Sequence, residues 1–161
     1  MILKSFELSK LKLIDHNFYL FYGANEGLKE ENIKNLFEKN YLGKIHRYEE
    51  KEIIDNTNNF FDSILSKSFF DNKKLIIINR STDKIKDIIE GLIEKDPGDI
   101  KFILNSKNLE KKSTLRKLFE KEKSVICSAF YEDNNQTLNS IISNFFRNKE
   151  IPISQQLINI I

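Results

Sequence analysis

Leu75-Ile76-Ile77-Ile78 is apolar at every position, and that continuity constrains the fold more than any other feature of the chain. A strand wetted on one face alternates apolar with polar residues. A strand covered on both faces does not, and such strands belong to parallel sheets with helices on each side. Runs of the same kind occupy residues 18–22, 74–78, 101–104 and 124–127, with a weaker one at 44–48. The intervening segments carry helical spacing. Ile33, Leu36 and Phe37 make one stripe; Phe60, Phe61, Ile64 and Leu65 a second; Ile85, Ile88, Ile89, Leu92 and Ile93 a third. Leu115, Leu118 and Phe119 make a fourth, and Leu138, Ile141, Ile142, Phe145 and Phe146 a fifth. Thr82 or Asp83 can cap the third helix, Pro97-Gly98 ends the linker after it, and Asp133 or Asn134 can cap the fifth. Strand and helix alternate throughout, which predicts an α/β domain of three layers with a mostly parallel, five-stranded sheet.

The first run leads into Gly23-Ala24-Asn25-Glu26-Gly27-Leu28, an apolar strand entering a glycine turn and then a helix. That is the layout of a phosphate-binding loop. Such a loop needs two glycines five positions apart followed by Lys and Ser or Thr, because backbone N–H groups cradle the phosphates while the lysine neutralises the terminal charge and the hydroxyl holds magnesium. Here Gly27 comes one residue too early, Leu28 displaces Lys29, and Glu30 stands where a hydroxyl belongs. The strand that would supply a magnesium-binding carboxylate ends in Asn79-Arg80 instead. Two separate requirements fail together. The reading is a P-loop fold with a degenerate nucleotide site, its phosphate loop reduced to Gly23, Glu26 and Gly27.

Other chemistry is thinly provided. His16 and His46 are far apart, Cys127 sits in an apolar run, and no His-x-x-x-His, Cys-x-x-Cys or Gly-x-Ser-x-Gly occurs. Cys127 reads as an inert core thiol, because reactive thiols need an exposed electropositive setting. With one cysteine there is no disulfide framework, which fits a reducing compartment. No catalytic residue, metal ligand or cofactor is expected. Charged residues make up 31% of the chain but nearly cancel at +2, so bulk charge identifies neither a nucleic-acid nor a membrane partner. No apolar stretch reaches membrane-spanning length, and the N-terminus lacks the apolar core of a signal peptide. A soluble, cytoplasmic protein is expected. After Arg147 the sequence turns polar, Pro152 interrupts it, and Ser154 can cap a short helix that could not bury its apolar side alone. This suggests a domain at 1–148 and the opening of a helical second one at 149–161, as in a fragment of a longer protein.

Taken in order, these features resemble the N-terminal, AAA+-like domain of the DNA polymerase III delta subunit family, part of the bacterial clamp loader. The matching segments are residues 18–23 with Glu26 and Leu28, residues 68–78, and residues 101–104 followed by 108–118. The resemblance implies a subunit that binds the ring-shaped sliding clamp (beta) and helps open it during DNA replication. It implies no ATP hydrolysis by this chain, which would serve within the DNA polymerase III holoenzyme beside the other loader subunits, delta prime and tau/gamma, and meet primed DNA indirectly. The family carries a Ser-Leu-Phe tripeptide before its third strand that enters a cleft on the clamp. Ser68-Phe69-Phe70 stands there in this chain.

From the residues alone Phe69, eight positions after Phe61, could equally continue the buried stripe of its helix. Consecutive helical residues point about 100° apart, so Phe69 and Phe70 cannot both face the core equally well. Two other functions stay open at this point. One is an active P-loop NTPase using Lys29 through an atypical loop. The other is a nucleic-acid-binding module working through the basic segment 107–123, with Lys111, Lys112 and Arg116 as candidate DNA contacts. Glu110, Glu120 and Glu122 dilute that charge, and a solvated helix face accounts for the pattern as well.

Overall fold

The computed structural model of the chain describes residues 1–10, 16–65 and 73–158. Among these residues the strands are β1 (Ile2–Lys4), β2 (Phe18–Tyr22), β3 (Lys44–Glu49), β4 (Lys74–Asn79), β5 (Ile100–Ser106) and β6 (Ile126–Ala129). The helices are α1 (Glu26–Asn32), α2 (Glu50–Asp55), α3 (Thr57–Leu65), α4 (Lys86–Glu94), α5 (Thr114–Lys121), α6 (Asn135–Asn148) and α7 (Gln155–Ile158). The strands form one sheet in the order β1-β6-β2-β5-β4-β3. Every pairing in it is parallel.

The α/β architecture and the five expected strands are present, and β1 adds a sixth at the edge. Ile2, Leu3 and Lys4 pair with Cys127, Ser128 and Ala129. Three residues are too few to show a period, and only the waiting edge of β6 makes them a strand. β6 itself lies two residues later than expected, at Ile126–Ala129. In the centre, Ile76 and Ile78 register with Phe102 and Leu104, and Phe18 and Leu20 register with the same two residues from the other side. The Phe18 and Phe102 rings stack with centroids 4.7 Å apart.

Because both faces are covered, the sheet has two cores. On one face Leu20, Ile76, Ile78, Phe102 and Leu104 pack with Ile53 of α2, Phe60 and Ile64 of α3, Ile89 and Leu92 of α4, and Leu115 and Phe119 of α5. On the other, Tyr19, Phe21, Leu75, Ile77 and Ile103 pack with Ile33, Phe37, Leu8 and Phe130. Burying one such side chain fully contributes about 1.5–3 kcal/mol, so the continuous runs are what hold the layers together. α1 continues directly into a wider π-helical stretch, Ile33–Glu38, which turns Ile33 and Phe37 onto the sheet.

The chain divides into two compact units, Met1–Phe130 and Tyr131–Ile161. In the second unit Asn134 caps α6, accepting from the Thr137 N–H at 2.9 Å while its own N–H donates to the Thr137 hydroxyl at 2.8 Å. The apolar stripe expected on this helix is present, with Leu138, Ile141 and Phe145 exposed. No helix among the described residues is long and apolar enough to cross a membrane.

Candidate functional site

Parallel strands all end on one edge, and ligands of open α/β sheets gather at that carboxyl edge. Here Glu49, Asn79 and Asn105 lie side by side at the ends of β3, β4 and β5. Tyr22 and Ser106 end β2 and β5 next to them. Glu26, Glu30, Arg80 and Lys107 complete an open cleft of about 340 Å³.

The loop after β2 has the strand–glycine–helix path of a phosphate loop, but several of its donors are spent internally. Gly23 N–H donates to the Lys107 carbonyl and Asn25 N–H to the Phe130 carbonyl, each at 3.2 Å. Leu28 N–H donates to Asn25 Oδ1 at 3.0 Å, so the helix caps itself. Gly23 is required by geometry. Its φ is 131°, and a Cβ there would stand 2.0 Å from the Phe130 carbonyl oxygen. Gly27 is not: an added Cβ would meet only Asn25 Oδ1, at 3.9 Å. The turn's backbone demands glycine at Gly23 alone, because Gly27 is already inside α1.

Lys29 is fully buried. Its Nζ donates to Glu26 Oε1 at 3.0 Å and to the Ser106 carbonyl at 2.5 Å, tying α1 to the end of β5. The cation nearest the loop therefore faces inward, neutralised by the residue that the degenerate loop contributes. Beside it, Asn105 and Ser106 are more than nine-tenths buried, yet Asn105 Oδ1 and Ser106 Oγ have no hydrogen-bond partner.

Two acids, Glu50 and Asp83, organise the same edge through partners remote in sequence. The Glu50 carboxylate, mostly buried, accepts from the Thr82 N–H at 2.6 Å and the Thr82 hydroxyl at 3.0 Å. Asp83 accepts from the Ser113 hydroxyl at 2.5 Å and the Leu115 N–H at 3.0 Å, so it holds the start of α5. Of the two expected caps, Thr82 serves the short turn Asp83–Ile85 before α4, accepting from the Lys84 N–H. Asp83 serves a different helix, and only the Ser113 cap of α5 is visible locally as a signal. Burial opposes the Asp83 charge, but the hydrogen bonds from Ser113, Leu115 and Thr114 outweigh it and hold this carboxyl below its ordinary range. A depressed folded pKa adds stability above the unfolded value, about pH 4, and loses it as pH falls through the folded value. Asp83→Asn is therefore expected to lower the midpoint of urea unfolding at pH 7 and to flatten its decline below pH 4.

The remaining candidates fall as follows. Burial pushes the Cys127 thiol up to about 12, which leaves it protonated and inert as expected. His16 Nδ1 donates to the Ser124 carbonyl at 3.0 Å, and His46 stacks on Tyr48. No cluster of three potential metal ligands occurs among the described residues. Arg116 turns inward: Nε donates to Glu120 at 2.7 Å, a terminal nitrogen to the Leu109 carbonyl at 3.1 Å, and the guanidinium lies over the Tyr22 ring at 4.9 Å. Lys111 and Lys112 are exposed, Lys112 within 3.0 Å of Glu110. Ser68, Phe69 and Phe70 lie outside the described residues.

The parallel sheet, the glycine turn after β2 and the Asn79-Arg80 end of β4 define an AAA+-like α/β domain with a degenerate phosphate loop. The chain belongs to the DNA polymerase III delta subunit family, whose model matches residues 19–130. Among solved structures it is similar to the Bacillus subtilis DNA clamp loader delta protein, with a TM-score of 0.62 and 16% identity over 95% of this chain. The chain spans 49% of that protein's length. A further match is domain III of the Thermotoga maritima replication initiation protein DnaA, with a TM-score of 0.45 and 12% identity over 97% of this chain and 71% of that one. No curated protein matches the chain.

Proposed function

We propose that this chain is the clamp-binding part of a clamp loader delta subunit, which docks on the sliding clamp during DNA replication and favours its open form without hydrolysing ATP. Family membership supports the role in clamp loading. The single observation that favours a non-hydrolysing subunit is the loop after β2, where N–H groups 23, 25 and 28 and the Lys29 ammonium are all bonded within the chain. A triphosphate would have to break those bonds before finding a cradle. A protein that binds the open clamp better than the closed one shifts the equilibrium by its differential affinity and needs no chemistry of its own. ATP is then the business of the other loader subunits, delta prime and tau/gamma, in the cytoplasm.

Phe69 and Phe70 are the proposed anchors, with Ser68 at the head of the tripeptide. Two Phe side chains, each contributing about 1.5–3 kcal/mol on burial, can dominate a modest interface. Capture of the cognate clamp by the native chain, reduced at least about a hundredfold in affinity by Phe69→Ala/Phe70→Ala, is the expected result. Equal retention by both proteins would remove the site, and no retention by the native chain would remove the function. Equilibrium dialysis against labelled Mg-ATP is expected to show no tight binding. Lys111 and Lys112 carry what remains of the proposed contact with primed DNA, since the partners of Arg116 are within the chain.

A further inference from the structure

Leu42 is 99% exposed, whereas the other exposed large apolar residues described between Met1 and Phe130 reach at most 62%. It sits in the turn between the π-helical stretch Ile33–Glu38 and β3. A leucine left wholly in water contributes no burial to the fold, and turns are ordinarily filled by glycine or small polar residues. Nor is the turn loose. Tyr41 packs against the core cluster of Phe37 and Leu75, and its N–H donates to the Glu38 carbonyl at 3.0 Å. Lys39 N–H donates to the Lys34 carbonyl at 2.9 Å. On the other side a Cβ on Gly43 would stand 2.2 Å from the Lys73 carbonyl oxygen, so only glycine lets the turn come this close to the start of β4.

The place of the turn follows from the sheet. β3 and β4 are parallel and start in register, Lys44 opposite Lys74, so the residues just before each strand lie at the same, amino-terminal edge. The Lys73 carbonyl accepts from Lys44 N–H at 3.2 Å and closes on Gly43, the neighbour of Leu42. Lys73 is the third residue after Phe70. Three residues span at most about 11 Å, which with the width of the turn puts Leu42 within about 20 Å of Phe70. A standard protein interface takes about 800 Å² from each partner, a patch roughly 30 Å across. An ordinary interface seated on Phe69 and Phe70 therefore extends far enough to include this turn.

We infer that Leu42 is a further contact with the sliding clamp, entering an apolar depression distinct from the cleft that takes the Phe pair; the inference rests on the clamp-binding reading above. Exposed Lys39, Lys44 and Lys73 flank the leucine, and Asp99 lies near Tyr41. Cations prevail around it, which suits a depression with an acidic rim. A turn held this firmly loses little freedom on docking, so burial of the side chain is converted into affinity with little entropic loss.

The test measures the affinity of the full chain for the purified cognate clamp. Leu42→Ser is expected to bind at least about tenfold more weakly. It should melt within about 2 °C of native, since the side chain is already in water. Leu42→Met, which keeps the apolar volume, should stay within about threefold of native. Clamp affinity of Leu42→Ser equal to native, under conditions where Phe69→Ala/Phe70→Ala weakens binding, would overturn the inference and leave the clamp-binding reading intact. So would a melting point of Leu42→Ser well below native, which would make the leucine a structural residue. Self-association of the native chain that is lost in Leu42→Ser would give the turn to a second copy and overturn it too. Failure of the native chain to retain the clamp would remove the reading beneath it, and this inference with it.

Discussion

Gly23→Ala is expected to destabilise the chain by about 3–5 kcal/mol, a large share of what a domain of this size possesses. Two effects combine. The backbone sits at φ 131°, where an L side chain is strained, and the added carbon would lie 2.0 Å from the Phe130 carbonyl oxygen. That oxygen cannot retreat freely, because it accepts from Asn25 N–H while Phe130 N–H donates to the Tyr22 carbonyl at 2.8 Å. Moving it would open the join between β2 and the end of β6. Gly27→Ala in the same loop is the control and should stabilise by about 0.5–1 kcal/mol, because it replaces a helical glycine whose added Cβ would make only an ordinary contact, 3.9 Å from Asn25 Oδ1. Urea unfolding of both variants checks the pair. Equal stability of Gly23→Ala and native would contradict the turn described.

Lys29→Ala should cost about 3 kcal/mol. Truncation deletes buried methylenes worth about 0.8 kcal/mol each and a charge-assisted hydrogen bond worth about 1.5–3, partly offset because a cation no longer needs burying. Lys29→Met keeps most of the stem and should cost only about 1–2 kcal/mol, chiefly the unmet Ser106 carbonyl. Glu26, half exposed, can return to water in either variant. Neither substitution should alter affinity for Mg-ATP, measured by equilibrium dialysis. A nucleotide affinity present in the native chain and lost in Lys29→Met would instead make the lysine a phosphate ligand.

The sheet was legible because its strands are covered on both sides, and a continuous apolar run such as residues 75–78 suits hardly any setting but the middle of a parallel sheet. Helical stripes were legible for the same reason, and Ile33, Ile64, Ile89 and Phe119 all reach a core. β1 was not, since Ile2-Leu3-Lys4 acquires meaning only against Cys127 and its neighbours. The absence of the phosphate-loop spacing could be read from the few residues between Gly23 and Glu30. The fate of that loop could not: Gly23 and Asn25 give their N–H groups to Lys107 and Phe130, and Lys29 gives its ammonium to Ser106, all partners remote in sequence. Likewise, nothing local marks Glu50 for Thr82 or Asp83 for Ser113. Patterning reports which face of an element is covered, whereas polar partnerships depend on which elements become neighbours.

β1 occupies the outermost place in the sheet through bonds to β6, and the Met1 carbonyl itself accepts from Cys127 N–H at 2.9 Å. Residues 2–4 thus wait for a partner remote in sequence, since nothing they bind exists until residues 126–129 have been made. Closing so long a loop delays the final step, so deletion of residues 1–4 should leave early collapse unchanged and abolish the slowest phase of refolding.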